Sequence, residues 1–249
     1  MQDERFRMSD QGSGIRLPLS IIVPAHNEEQ LIRETLRAID AAAQALGIRY
    51  EVIVVDDAST DRTAAIAAAQ GARIVGTDVR QIAAARNAGA RAARGDMLVF
   101  VDADTIVPAA VLKGAVAELQ AGAIGGGASA VFDAATPRWA VVTIGATAWF
   151  MRRVRWAAGC FLFVRRDAFE RAGGFDERYF ASEEIHLSRA LKRLGPFVIL
   201  REPVVTSGRK AAAYSPAHAL WLGLQLLRPG SLRSRDRLGF WYGRRGTNR

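Results

Sequence analysis

Cysteine is nearly absent: Cys160 is alone among 249 residues. This excludes an intramolecular disulfide and fits a reducing compartment. Long apolar runs are also missing. A membrane span needs roughly 20 apolar residues, and the two longest candidates fall short. Trp139–Met151 has the length of a core helix, and Ala211–Leu227 contains His218, Gln225 and a proline. Residues 1–16 mix Asp3, Glu4, Arg5, Arg7 and Asp10 with glycine and hold no signal-type apolar core, so they read as a flexible cytoplasmic tail. No internal repeat or long linker interrupts the rest. Nor does a Gly-rich, Lys-bearing phosphate loop follow the first apolar run, which removes the main support for a nucleotidyltransferase.

What is present is an apolar body with a basic end. Half of the residues are hydrophobic, enough for one large α/β domain or two small ones. Of 34 Lys/Arg and 25 Asp/Glu, ten and two respectively lie between Arg201 and Arg249, so nearly all of the net charge of +9 sits there. Such a tail suggests an anionic partner: a phosphate-bearing substrate, a membrane surface or nucleic acid. A merely solvated Arg-rich terminus is the plain alternative.

Leu19–Val23 reads as a strand stopped by Pro24, and Leu31, Ile32, Leu36 and Ile39 then recur at helical spacing. Glu51–Val55 is a second strand ending in Asp56-Asp57. Ala58–Asp61 offers N-caps for an Ala-rich helix through Gln70, with Gly71 as its stop. A short strand over Arg73–Val75, a helix over Arg80–Arg94 and a strand over Met97–Val101 complete the first half. Strand–helix alternation at this spacing predicts parallel βαβ units whose polar tips converge on one edge. Beyond Pro108 the expected elements are a helix (Val111–Leu119), a loop or bulge (Gly125–Gly127) and a strand (Ala128–Phe132). An apolar helix (Trp139–Arg153), a strand (Gly159–Val164), helices over Asp167–Ala172 and Glu183–Leu194, and a strand (Phe197–Leu200) follow. The organisation is a tail (1–16), one compact domain (17–205) and a basic extension (206–249).

Met97–Val101 is apolar throughout, as in a strand buried on both faces, and it ends in Asp102-Ala103-Asp104. Open α/β sheets bind ligands at that end of a strand. Two carboxylates so close repel unless a cation compensates them, and their oxygens suit Mg²⁺ or Mn²⁺ together with diphosphate. A solvated turn would show the same tripeptide.

A series of segments then resembles the landmarks of family-2 glycosyltransferases with the GT-A fold. They are Ser20–Glu29, Val54–Thr63, Ala85-Arg86-Asn87-Ala88-Gly89 and Phe100–Asp104, then Gly159-Cys160, Arg165–Phe169, Gly173-Gly174-Phe175-Asp176-Glu177 and Glu183-Glu184, in that order, over about residues 18–205. The resemblance implies a Rossmann-like mixed sheet flanked by helices. It also implies transfer of a sugar from a nucleotide-diphosphate donor, with a preference for uridine, to an acceptor hydroxyl, inverting and metal-dependent. Carried over, Pro24, Ala25, Glu28, Asp56, Asp57, Arg86, Asp102 and Gly159 bind the donor. One of Asp56 and Asp57 accepts a uracil N–H, and Arg86 contacts the diphosphate. Asp102 and Asp104 hold Mn²⁺ or Mg²⁺, and Glu184 is the general base. The plain alternatives are helix caps for Asp56 and Asp57, compatible with that role, and a surface cation for Arg86.

The sequence departs from the family pattern at the base. Glu184 replaces the more common Asp, and Ser182 and His186 stand where Gly and Asp are frequent. His186 reads as a metal ligand, an acceptor contact or an ordinary helix residue, and Glu183 as a partner of the helix dipole. Gln225-Leu226-Leu227-Arg228 is followed by Pro229 rather than the Trp of processive members, so a single addition is expected. Ser215–Leu227, apolar on much of its circumference and followed by arginines, suits an interfacial helix on anionic lipid or one packed on protein. Arg209 and Lys210 are candidates to close over the diphosphate. The expected location is cytoplasmic, peripheral at the inner membrane face. A binding module for membrane or nucleic acid, using the tail alone, is the alternative from another functional class.

Overall fold

A computed structural model describes residues 18–132, 153, 156, 157 and 159–208. The tail, the predicted Trp139–Arg153 helix apart from residue 153, Arg209, Lys210 and the Ser215–Leu227 helix lie outside the described residues. In chain order the elements are β1 (Leu19–Ala25), α1 (Ile32–Gln44), β2 (Tyr50–Asp57), α2 (Thr63–Ala69), β3 (Arg73–Thr77), α3 (Ile82–Ala92) and β4 (Met97–Val101). Then come β5 (Thr105–Ile106), α4 (Ala109–Gln120), β6 (Gly125–Phe132), β7 (Phe161–Arg165), α5 (Arg166–Arg171), α6 (Glu183–Lys192) and β8 (Phe197–Thr206).

The strands form one sheet in the order β3-β2-β1-β4-β7-β6-β8-β5. β3, β2, β1 and β4 run parallel, as the alternation predicts. β7 enters antiparallel beside β4, with Val99 opposite Phe163, and makes the sheet mixed. Both faces are covered. Ile21 and Val23 of β1 and Val99 and Val101 of β4 pack under α1 and α4. Ile22, Leu98 and Phe100, one residue out of phase, pack in the opposite layer with residues of α3, α5 and α6. That period of two explains why these strands read as continuous apolar runs. Helix α1 buries Ile32, Leu36, Ile39 and Ala43, one stripe at helical spacing.

Three segments differ from expectation. Gly125–Gly127 belongs to β6 instead of a loop. A Cβ on Gly126 would lie 2.1 Å from the Val198 carbonyl oxygen and 2.4 Å from Phe163, so the neighbouring strands require its absence. The irregularity falls between Ala128 and Ala130. β8 continues to Thr206 because Val204–Thr206 pair with β6, and β5, unmarked in the sequence, pairs with the end of β8.

Connections from β1 lead to β2 on one side and β4 lies on the other, so the strand order reverses at β1. Sheets of this kind bind ligands in the crevice at that reversal. The carboxyl ends of β1, β2 and β4 carry Pro24-Ala25, Asp56-Asp57 and Asp102 respectively.

Candidate active site

The Asp102-Ala103-Asp104 turn is fixed from three sides. Asp102 N donates to Cys160 O (3.2 Å), Thr35 Oγ1 of α1 donates to Ala103 O (2.9 Å), and Ser207 N donates to Asp104 O (3.2 Å). Thr105 Oγ1 donates to Thr206 Oγ1 (3.1 Å) just behind it. The backbone is thus anchored by α1, by the chain before β7 and by the end of β8, while both carboxylates remain partly accessible.

The loops after β1 and β2 are laced together. Asn27 Oδ1 accepts from Thr60 N (2.8 Å), and Asn27 N and Glu28 N donate to Ser59 Oγ (3.0 Å) and Thr63 Oγ1 (2.8 Å). His26 Nδ1 lies 2.7 Å from Asp57 O. The adjacent acids then divide. Asp57 is buried and its carboxylate is engaged by the chain: Val79 N, Arg80 N and Gln81 N donate to it at 2.9–3.0 Å, with Thr77 Oγ1 at 3.0 Å. It holds the turn into α3. Asp56 Oδ1 is buried with no partner among the described residues, an acceptor left for something else.

Helix α3 carries the side chain that joins the carboxylates of the site. Gly89 lets the helix press on the sheet, since a Cβ there would meet Ile22 Cγ2 at 2.3 Å and Val55 Cγ2 at 2.9 Å. One turn earlier, Arg86 reaches under the carboxyl edge. Its Nη2 donates to Asp102 Oδ1 (2.8 Å) and to Gly159 O (2.7 Å), and its Nη1 donates to Glu183 Oε1 (2.7 Å). The Phe175 ring lies 5.2 Å from the guanidinium. Asn87, beside it, accepts from Phe175 N (2.9 Å) and donates to Phe175 O (2.9 Å) and Glu177 Oε1 (2.8 Å). The Arg-Asn-x-Gly spacing thus fixes a carboxylate cluster, the 173–177 loop and the helix–sheet distance.

At the start of α6, Glu183 is 3% exposed and Glu184 half-buried. A Cβ on Gly159 would stand 3.5 Å from the Glu184 carboxyl and 3.6 Å from Arg86 Nη2, so the three meet at one point. Burial, then the Glu183 charge, push the Glu184 pKa up to about 8 against the pull of Arg86. Burial opposes the charge on Arg86, but Asp102, Glu183 and Glu184 together hold it charged. Burial, followed by Asp102 and Asp104, drives the Cys160 thiol upward, so it stays protonated.

Two carboxylates with hard oxygen donors fit a divalent cation that completes its shell with phosphate and water. Among the described residues no group of three or more His, Cys, Asp or Glu converges as a closed cage.

The family model of glycosyl transferase family 2 matches residues 20–173. The chain belongs to this family.

Its fold is that of GT-A glycosyltransferases. Among curated relatives, an undecaprenyl-phosphate 4-deoxy-4-formamido-L-arabinose transferase of Pseudomonas paraeruginosa is 37% identical over 94 residues, 34% of this chain and 27% of the relative. That of Klebsiella pneumoniae is 31% identical over 112 residues, 42% and 34% of the two chains. The matches thus span about a quarter to a third of the relatives' length. Among solved structures, residues 1–349 of S. aureus TarS with UDP-GlcNAc superimpose with a TM-score of 0.62 at 18% identity, covering 88% of this chain and 67% of that TarS fragment. A Pyrobaculum calidifontis mannosyltransferase with GDP-Man and Mn²⁺ gives 0.61 at 24%, covering 84% and 61%. Mycobacterium tuberculosis glucosyl-3-phosphoglycerate synthase with Mn²⁺ and UDP gives 0.57 at 21%, covering 93% and 82%.

Of the residues singled out in the sequence, Arg86, Asp102, Gly159, Glu183 and Glu184 form one cluster, with Asp104 two residues beyond Asp102. Pro24, Ala25, Glu28 and Asp56 lie at or just after the carboxyl ends of β1 and β2. His186 stacks on Tyr179, with ring centroids 3.8 Å apart. The sequence did not single out Thr35, Asn87 or Phe175 individually. Their roles depend on partners distant in the chain, although the motifs containing Asn87 and Phe175 marked both.

Proposed function

We propose that this family-2 glycosyltransferase takes a UDP-sugar, holds its diphosphate through a Mn²⁺ or Mg²⁺ at Asp102 and Asp104, and performs a single inverting transfer to an acceptor hydroxyl. The carrying observation is the cluster in which Asp102, Arg86, Gly159 and the Glu183-Glu184 helix start meet at the carboxyl edge. The bound cation would neutralise charge that develops on the leaving diphosphate. Asp56, with its buried oxygen unpartnered among the described residues, accepts the uracil N–H, and Pro24, Ala25 and Glu28 line the nucleotide end. Glu184 takes the proton of the attacking hydroxyl. Arg86, with three donors committed within the chain, orients carboxylates beneath the donor instead of gripping its phosphates.

A second reading concerns the acceptor. The curated relatives are named for undecaprenyl phosphate, and a phosphate nucleophile needs no base. Glu184, with its raised pKa, would then donate a hydrogen bond to that phosphate. Glu184→Gln separates the readings: it abolishes transfer to hydroxyls and retains transfer to a lipid phosphate. The basic residues 201–249 would keep the enzyme at the cytoplasmic face of an anionic membrane. No helix among the described residues is long and apolar enough to cross one.

A thermal-shift panel of sugar nucleotides with and without MnCl₂ tests the proposal. A donor stabilises by mass action, so a UDP-sugar is expected to raise the midpoint only with the metal. A panel in which none does so contradicts it.

A further inference from the structure

An acid in the first turn of a helix gains from the helix dipole while remaining in water. Glu183 does not remain there: it is 3% exposed, and its carboxylate accepts from Arg86 Nη1 at 2.7 Å. A buried carboxylate is costly without a partner, so its position is set by Arg86 and not by the dipole alone. The other arm of the same guanidinium holds Asp102 Oδ1 at 2.8 Å and Gly159 O at 2.7 Å. Phe175 packs on the guanidinium, and Gly89 seats the helix that carries it. One rigid planar group therefore joins the end of β4 to the start of α6. A lysine ammonium, a point charge on a flexible stem, cannot fix both directions.

We infer that Glu183 is a positioning residue: through Arg86 it locks the start of α6, and with it Glu184, to the Asp102 end of β4. The carboxyl on the acceptor side and the carboxylate on the metal side then keep one separation through turnover. This rests on the roles proposed above for Glu184 and Asp102, and adds a residue that touches neither sugar nor nucleotide.

Glu183→Gln keeps the shape and one acceptor oxygen but removes the charge that holds Arg86. Hydrolysis of a UDP-sugar by water reads turnover, and calorimetric titration of UDP in MnCl₂ reads donor binding. Glu183→Gln is expected to lower kcat about ten- to a hundredfold, as small misplacements do, with the UDP Kd changed less than about twofold because Asp102 keeps its link to Arg86. Arg86→Lys releases both ends, so it lowers kcat at least as far and weakens UDP as well. In that background Glu183→Gln adds nothing, as for residues acting as one unit. If Glu183→Gln does not fold, Glu183→Asp carries the same test with the same expected split. Wild-type kcat in the folded variant, or losses that multiply in the double variant, overturns the inference.

If the wild type turns over no sugar nucleotide, the proposed function fails by itself, and guanidinium NMR still decides the lock. Individually resolved Arg86 Nη–H resonances that merge in Glu183→Gln support it. Merged resonances in the wild type overturn it.

Discussion

Glu183 and Arg86, 97 positions apart in the chain, meet at 2.7 Å with both side chains withdrawn from solvent. That contact distinguishes two adjacent acids. Burial pushes the pKa of both upward; Glu183 is paired with the guanidinium, whereas Glu184 also faces the Glu183 charge and ionises reluctantly, with a pKa pushed up to about 8.

The pH dependence of turnover follows. Glu184 must lose its proton to act as a base, so kcat/KM for a UDP-sugar hydrolysed by water rises with pH along a limb near pH 8. Among the described residues, the charged groups facing Glu184 are Glu183, Arg86 and Asp102. Removing the Glu183 charge in Glu183→Gln favours ionisation and moves the limb to lower pH. pH–rate profiles of the two proteins check this, and a wild-type limb near 4.5, the ordinary value, contradicts it.

The same shift carries a sign for stability. The folded protein binds the Glu184 proton more tightly than the unfolded chain, so stability falls as pH rises from 4.5 towards 8. Glu184→Gln escapes that loss. It is expected to exceed the wild type by about 1–3 kcal/mol above pH 8 and to match it near pH 4. Urea denaturation at both pH values is the measurement.

Asp56 and Asp57 separate binding from folding. Asp57→Ala orphans three backbone N–H groups and is expected to cost about 2–4 kcal/mol. Asp56→Ala removes a buried oxygen without a partner among the described residues, so it leaves stability unchanged or slightly higher and weakens UDP about tenfold or more. Thermal melts paired with UDP titration distinguish the two.

Much of the fold was legible because β1, β2 and β4 are apolar on both faces and punctuated by polar tips. α1 was equally clear, since Ile32, Leu36 and Ile39 share one stripe. Gly125–Gly127 misled because glycine commonly signals a turn, whereas Gly126 is small to admit Val198 and Phe163. β5 was too short to leave a pattern. At the site, the acids at strand ends were visible as types in order. Their division of labour was not: whether Asp57 faces a ligand or the turn at Val79–Gln81 depends on a loop 20 or more residues away. Arg86 as a strut likewise needed Glu183 and Asp102 placed in space.

Backbone conformation explains one departure from the family pattern. Ser182 adopts φ 64° and makes no side-chain cap, so the glycine frequent there in the family fits without strain. Ser182→Gly is expected to stabilise by about 0.5–1 kcal/mol. Gly89→Ala acts oppositely: its Cβ would drive into Ile22 and Val55, costing about 1–3 kcal/mol and displacing Arg86. Denaturant midpoints of both variants check these signs.

Asp102 and Asp104 are expected to support metal-dependent use of a sugar nucleotide. The direct measurement is UDP release from UDP-sugars in MnCl₂ by the wild type and by Asp102→Ala/Asp104→Ala. The wild type is expected to release UDP only when the metal is present, and the folded double variant to lose at least about a hundredfold. Undiminished, metal-independent release by the double variant would contradict a metal site at these carboxylates.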